Sequence, residues 1–183
     1  MSTDLNDLSG TWTLDATHTR LGFVTRHAMI TKVRGSFNDF TGTVTVPAEG
    51  IRSATAEITI DASSIDTRNA DRDGHLKSND FFDMENFPQI TFESTAIAPN
   101  GSGGVDVTGD LTIKGTTKSV TIPFDYEGTA TDPFGNQRAG FEGTTTINRS
   151  DFGLTWNAAL ETGGVLVSEK VTLEIEVSAI KNA

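Results

Sequence analysis

Residues 171–179 read Val171-Thr172-Leu173-Glu174-Ile175-Glu176-Val177-Ser178-Ala179, and every second side chain is apolar. Successive side chains of a β-strand point to opposite faces of the sheet, so this period of two predicts a strand with one apolar and one polar face. The same alternation recurs along most of the chain, for example in residues 54–60, 105–113 and 120–126. Such strands are typical of an antiparallel sheet with one face in the core and the other in water.

About eight long segments carry this pattern, and they can either close into a barrel or split into a sandwich. Three features favour the barrel. Several segments reach about nine residues, the outer face is acidic, and Gly42, Gly109 and Gly143 fall on the apolar face, where strongly curved sheets need glycine. We therefore predict an all-β domain over residues 11–181 after an N-terminal tail over residues 1–10. An eight-stranded barrel is either filled by its own side chains or holds one small apolar ligand.

The composition limits the kinds of molecule that the protein is expected to bind. The chain has 183 residues, no cysteine, and 14 basic against 25 acidic side chains, which gives a net charge of −11. A surface of that charge repels phosphate groups, so we expect no nucleic acid partner and no peripheral membrane role. No segment has the roughly 18 consecutive apolar residues that would embed it in a membrane. Residues 1–8 lack the basic and apolar parts of a secretion signal, which predicts a soluble, cytoplasmic protein.

The alternation breaks between residues 64 and 92. This insertion combines many charges with Phe81, Phe82 and Phe87, which either anchor a loop or form the lid or wall of an apolar cavity. Short helices are expected near residues 28–32 and 70–78, the second capped by Asn69 or Asp71.

Signals for metal binding are weak. His18, His27 and His75 are far apart and lack metal-ligand spacing. Residues 71–75 have some likeness to a calcium loop, but the closing bidentate carboxylate is absent and Arg72 interrupts the run. We expect these charges to pair with one another at the surface of the insertion, and we predict no metal and no cofactor.

Signals for catalysis are equally weak. Residues 151–153 match the Asp-Phe-Gly triplet of kinases, yet no Gly-rich nucleotide loop accompanies them, so we interpret Phe152 as a core residue at the end of a strand. No serine lies in a nucleophile elbow and no carboxylates have a motif-defining spacing. We predict that the protein is not an enzyme.

His27 is the polar candidate for ligand contact. If Phe23 points inward, alternation also directs Thr25 and His27 inward, where the imidazole could hydrogen-bond the polar end of a ligand. The other interpretation is a histidine satisfied by backbone or carboxylate groups, and the sequence leaves both open.

Several segments, taken in order, point to a family: residues 12–19 with Phe23 and His27, residues 33–37 and 40–42, residues 64–67, 72–78, 80–83 and 87–92, and residues 109–115 and 149–153. This ordered set, which extends from Trp12 to Ile180, resembles the YceI-like family of lipocalin-like, polyisoprenoid-binding proteins. The resemblance implies an extended eight-stranded antiparallel lipocalin-like barrel, here with a short helical insertion, whose apolar bore holds the ligand chain lengthwise. Members are associated with isoprenoid lipids, quinone-like molecules or other long-chain amphiphiles. Many carry a secretion signal and work in the periplasm, and its absence here favours the cytoplasm.

The main functional hypothesis is the binding, transport or sequestration of a long-chain apolar ligand, a polyisoprenoid, quinone or similar lipid. Affinity would come from apolar burial, at about 25 cal/mol per Å². Alternation along the strands, together with the phenylalanines of the insertion, gives these candidate ligand-binding residues: Phe23, His27, Val33, Phe37, Ile58, Phe81, Phe82, Phe87, Ile90, Phe92, Leu111, Phe124, Phe141, Leu173 and Ile175.

Two further hypotheses stay open. The first is a structural or stress-related module with a filled barrel and a protein partner, which could include a homodimer formed through the insertion. The second is an enzyme acting on a lipid-like substrate, and it requires a polar cluster inside the bore.

Overall fold

The computed structural model describes residues 4–161 and 163–183. Residues 1–3 of the predicted tail, and residue 162 of a turn predicted over 162–164, lie outside that range. Eleven strands and one α-helix follow in chain order: β1 Gly10–Leu14, β2 Arg20–His27, β3 Thr31–Phe37, β4 Phe40–Val46, β5 Thr55–Asp61, β6 Ile65–Asp66, α1 Ala70–Lys77, β7 Gln89–Pro99, β8 Val105–Ile113, β9 Thr116–Thr131, β10 Gln137–Asn148 and β11 Lys170–Lys181. Short 3₁₀ turns cover Leu5–Leu8, Ile51–Ser53, Ala62–Ser64 and Arg149–Phe152.

The strands form a closed eight-stranded antiparallel barrel, which confirms the predicted fold. The ring runs β1-β4-β5-β7-β8-β9-β10-β11 and closes because β1 pairs with β11 at Trp12–Lys181 and Leu14–Ala179. β-Bulges at Thr95 in β7 and at Glu127 in β9, opposite Gly140 and Phe141 of β10, bend the sheet.

At three places around the barrel, the wall contains two short strands placed end to end where a single long strand would otherwise lie. β1 pairs with β11 at residues 179–181, and β2 pairs with the same edge of β11 at residues 172–176, so β2 continues the line of β1. In the same way β3 continues β4, and β6 continues β5. At the end of the barrel built from β2, β3 and β6, β6 and β7 are not hydrogen-bonded to each other within the described residues, so the wall has a gap between them. The insertion over residues 67–88 fills that gap.

Gly109 and Gly143 lie on the inner face, as predicted, and the packing requires glycine at both positions. A β-carbon on Gly109 would lie 2.5 Å from the ring of Phe92, and one on Gly143 would lie 2.6 Å from the ring of Phe124. Each ring therefore lies directly over the backbone of the neighbouring strand, where any side chain would force it away.

The two barrel ends differ in closure. At the end where β1 begins, the 3₁₀ turn over Leu5–Leu8 packs onto the barrel, and Leu8 and Trp12 are buried. The Trp12 indole N–H donates to the Leu8 carbonyl at 2.8 Å. Part of the predicted tail therefore belongs to the folded domain, and its side chains close this end. None of the described helices is long and apolar enough to cross a bilayer.

The predicted helix at residues 70–78 is confirmed as α1. Asn69 caps it, because its side-chain oxygen accepts from the backbone N–H of Arg72 at 3.0 Å.

The predicted mutual pairing of the insertion charges is wrong for Arg72 and Asp73, which both hydrogen-bond to Thr67 instead. Arg72 donates to the Thr67 carbonyl at 2.6 Å, and Asp73 accepts from the Thr67 N–H at 2.9 Å.

The predicted helix near residues 28–32 is wrong. β2 and β3 pair directly from Leu21–Phe37 to His27–Thr31, and the turn between them is formed by Ala28 and Met29, with φ angles of 51° and 67°, and Ile30. The pairing of β2 with β3 overrides the local preference for helix.

An ion-pair cluster outside the barrel ties two connections together. Arg138 donates through Nη1 to Asp15 and through Nε to Asp132, each at 2.8 Å. Asp15 precedes β2, and Asp132 lies in the turn between β9 and β10. The Arg138 guanidinium holds the pKa of both carboxyls well below the usual range, helped at Asp15 by His18 and at Asp132 by backbone N–H groups.

Acid should therefore weaken the fold through this cluster. A carboxyl whose pKa is lower in the folded than in the unfolded state stabilises the fold above the unfolded value, near pH 3.9, and loses this contribution as the pH falls below about 4. We expect the urea midpoint to drop between about pH 5 and pH 3, and to drop less in Arg138→Gln. Equal slopes for the two proteins would contradict the assignment. Arg52→Gln, on the exposed 3₁₀ turn, is the control and should follow the wild type.

Candidate ligand-binding cavity

The inward faces of the strands enclose an elongated apolar cavity of about 280 Å³. Ile97 and Val105 lie at the end closed by Leu8, while Thr25, Val167 and Val171 lie at the other end. The first pair is buried, and the second group is half-exposed. The cavity therefore extends along the barrel and is more accessible near β2. Its volume approaches the roughly 300–1,000 Å³ of small-molecule sites.

The wall of this cavity is almost entirely hydrocarbon. Among the described residues that line it, only Thr25 and Arg149 have polar side chains. The Thr25 hydroxyl is already hydrogen-bonded to the Ser168 hydroxyl at 2.8 Å. Since cavities of this kind bind water poorly but accept apolar guests, the wall suits an apolar occupant.

Arg149 is 5 % exposed, and its guanidinium donates hydrogen bonds to backbone carbonyls and not into the cavity. Nη1 donates to the carbonyls of Leu154 and Trp156 at 2.6 and 2.9 Å, and Nε donates to the carbonyl of Ser168 at 2.8 Å. Burial lowers the pKa of the guanidinium, which nevertheless stays charged. Arg149 therefore holds the segment between β10 and β11 against the barrel end.

Twelve of the fifteen predicted residues line the cavity. They come from β2, β3, β5, the insertion and β7 to β11, and the barrel brings them together around one space: Phe23, Phe37, Ile58, Phe81, Phe82, Ile90, Phe92, Leu111, Phe124, Phe141, Leu173 and Ile175.

Three predicted residues lie elsewhere. The ladder between β2 and β11 ends at Val24, and beyond it the β2–β3 hairpin pairs with the irregular residues 166–168, where His27 forms an isolated bridge with Val167. His27 is exposed at the end of that hairpin, and Val33 lies on β3 opposite Thr25 without reaching the cavity. Phe87 packs on the turn between β8 and β9, where a β-carbon on Gly115 would come within 2.8 Å of its ring. Phe87 is thus an anchor of the insertion.

Aromatic rings join the hairpin, the insertion and the β10–β11 segment at the more accessible end. Phe37 lies 5.8 Å from Phe23 and 5.8 Å from Phe82, the second in an edge-to-face arrangement. Phe81 lies 5.4 Å from Trp156. These contacts place Phe81 and Phe82 in the wall, so the insertion completes the cavity where β6 and β7 do not pair.

Sequence reasoning missed part of the lining. Val105, Val107, Val171 and Val177 alternate in phase with predicted residues of the same strands, so applying the period of two uniformly would have found them. Arg149, Leu154 and Val167 belong to a segment without periodicity, so alternation could not have found them.

The lining has no group suited to proton transfer or nucleophilic attack. Within residues 4–161 and 163–183 no histidine or carboxylate faces the cavity, and no three His, Asp or Glu side chains are placed to hold a metal ion. The geometry favours binding through apolar contact.

Comparison with known proteins assigns the family. The family model described as YceI-like domain matches residues 12–179. The chain belongs to the YceI family. A UPF0312 protein of Staphylococcus aureus is 42 % identical over 164 residues, which is 89 % of this chain and 93 % of the relative.

Solved structures share the fold of this YceI-like protein. The crystal structure of BcnA from Burkholderia cenocepacia matches with a TM-score of 0.78 and 29 % identity, over 90 % of this chain and 98 % of that one. A domain of Saccharophagus degradans, described as polyisoprenoid-binding, matches with a TM-score of 0.69 and 17 % identity, over 93 % and 98 % of the two chains. At that identity the second likeness shows the fold alone.

Proposed function

We propose that this YceI-like protein binds a long-chain apolar ligand, of the polyisoprenoid, quinone or similar lipid class, inside the barrel and carries or sequesters it without chemical change. The observation that supports the proposal most strongly is the elongated cavity with a hydrocarbon wall. An empty apolar cavity of this size lowers stability, because its wall loses packing contacts, and a hydrocarbon chain would restore them.

The polar end of such an amphiphile would lie at the accessible end, beside Thr25 and Ser168. The closed end offers only apolar side chains such as Ile97 and Val105. His27 is exposed at this mouth and does not line the cavity, so it could contact a headgroup only where the headgroup leaves the barrel. The family likeness and the polyisoprenoid-binding description of the Saccharophagus domain agree with this ligand class.

The proposal is tested by extracting the purified protein with organic solvent and identifying the extract by mass spectrometry. We expect a lipid at close to one molecule per chain. A protein purified from its native host that yields none would favour the filled-barrel module. The cytoplasmic location remains a prediction, and fractionation of native cells tests it.

A further inference from the structure

The β2–β3 hairpin has a charge opposite to that of the rest of the chain. Residues 16–38 contain Arg20, Arg26, Lys32 and Arg34 and no acidic side chain. Removing these four positive charges from the net charge of −11 leaves −15 for the remainder. The net charge that argues against contact with an anionic surface therefore does not describe this hairpin.

The tip of the hairpin is apolar and exposed. Met29 and Ile30 are 61 % and 78 % exposed, and Val165 of the adjacent segment is also exposed. The tip is fixed to that segment, because the Ala28 N–H donates to the Leu166 carbonyl at 2.7 Å and the Met29 sulfur packs on Gly164. Apolar side chains thus project from a supported position, with basic side chains behind them.

The basic side chains nearest the tip have no acidic partner. Among the described residues, no carboxylate oxygen lies within 4.0 Å of Arg26, Lys32 or Arg34, whereas Arg20 reaches Glu174 at 3.7 Å. Residues 31–35 form an exposed sheet edge, and Lys32 and Arg34 also guard it against pairing with other strands. Edge protection accounts for the charges but not for the apolar tip.

The backbone conformation of the turn also indicates a functional role for the hairpin tip. Ala28 and Met29 both have positive φ at the centre of the β-turn from His27 to Ile30, where hairpin turns usually have Asn or Gly. Side chains other than glycine are strained in this region, and such strain is concentrated at functional sites. The chain thus keeps a methionine at a position where glycine would fit more easily.

We propose that this hairpin tip docks on a lipid bilayer that carries anionic headgroups, with Met29 and Ile30 in the interface and the basic side chains on the phosphates. Docking there turns the accessible end of the cavity toward the bilayer, because Phe23 and Thr25 of the same hairpin line that end. This deepens the proposed function, on which it rests, since it names the membrane as the source or destination of the apolar ligand. Charges farther than about 8 Å from the bilayer are largely screened at physiological salt, so the local hairpin charge outweighs the acidic remainder.

The test is co-sedimentation of the full-length protein with vesicles of phosphatidylcholine containing about 30 % phosphatidylglycerol, compared with vesicles of phosphatidylcholine alone. We expect binding to the anionic vesicles that weakens as salt is raised. Each basic residue near such a surface contributes about a fivefold gain in affinity, so Lys32→Gln/Arg34→Gln should bind about 25-fold more weakly. Ile30→Ser should also bind more weakly on anionic vesicles.

Phe134→Ser is the matched control for the tip, because Phe134 is 88 % exposed at the opposite end of the barrel. It should bind like the wild type, and Arg52→Gln should do the same. Wild-type protein that fails to sediment at low salt, or hairpin variants that bind as it does, would overturn docking. A change of oligomeric state in Ile30→Ser without vesicles would overturn it too, because the tip would then contact a second copy. If lipid can still be extracted from a variant that no longer docks, the proposed function stands without docking. The failure of docking and the failure of the proposed function are therefore distinguishable.

Discussion

Ile175→Trp is expected to give a folded barrel that no longer holds an apolar ligand. Ile175 lies on the inner face of β11, where it packs against the cluster that contains Leu14, Leu21 and Phe40, and it stays half-exposed because it also borders the cavity. The indole would occupy space that a ligand chain needs. Displacing about five methylene-sized groups, each contributing about 0.8 kcal/mol, removes about 4 kcal/mol and weakens binding about a thousandfold. The cavity can accept the added volume, so the unfolding midpoint should hold or rise.

Glu176→Trp is the matched control, because it adds an indole to the outer face of the same strand, one residue away. Both variants can be titrated with radiolabelled geranylgeraniol, a linear isoprenoid alcohol, alongside the wild type. The control should bind as the wild type does. If Ile175→Trp bound with unchanged affinity, the ligand would lie outside the bore.

Arg149→Lys and Arg149→Ala are expected to cause the largest losses of stability outside the apolar core. The guanidinium satisfies carbonyls of Leu154, Trp156 and Ser168 with fixed, planar N–H groups, and an ammonium cannot reach all of them. Hydrogen bonds to a charged group each contribute about 1.5–3 kcal/mol, so we expect Arg149→Lys to cost about 3 kcal/mol and Arg149→Ala to cost about 4 kcal/mol or more.

Urea unfolding followed by tryptophan fluorescence measures both losses. Trp156 itself lies on the segment that Arg149 holds, so its emission should shift toward longer wavelength before the barrel unfolds. Arg52→Ala, on an exposed 3₁₀ turn, serves as the control and should change the free energy of unfolding by less than about 0.5 kcal/mol. A loss of similar size in Arg52→Ala and Arg149→Ala would contradict the role of the buried guanidinium.

The barrel itself could be predicted from sequence because its signals are local and repeated. Alternation in β8, β9 and β11 marks an inner face, and glycines such as Gly109 and Gly143 mark close approaches of neighbouring strands. The interpretation of Phe152 as a core residue is also confirmed, since it is 1 % exposed, and Gly153 ends its 3₁₀ turn at a φ of 76°.

What the sequence did not show depends on pairing between distant segments. Alternation alone directs His27 inward, but the ladder to β11, which begins at Lys170, ends at Val24, and beyond it β2 pairs with the irregular residues 166–168. At three places the barrel wall contains two short strands end to end, and no periodic signal in the sequence marks this division. The role of Arg149 is equally hidden, because its partners are backbone carbonyls of an irregular segment.

A high-resolution crystal structure of the protein purified from its native host tests the central claim most directly. We predict elongated, continuous electron density inside the barrel, running from the closed end near Val105 to the accessible end near Thr25, with its polar end at the accessible side. A barrel interior filled by its own side chains, with no space and no density between Phe92, Phe124 and Ile175, would contradict it.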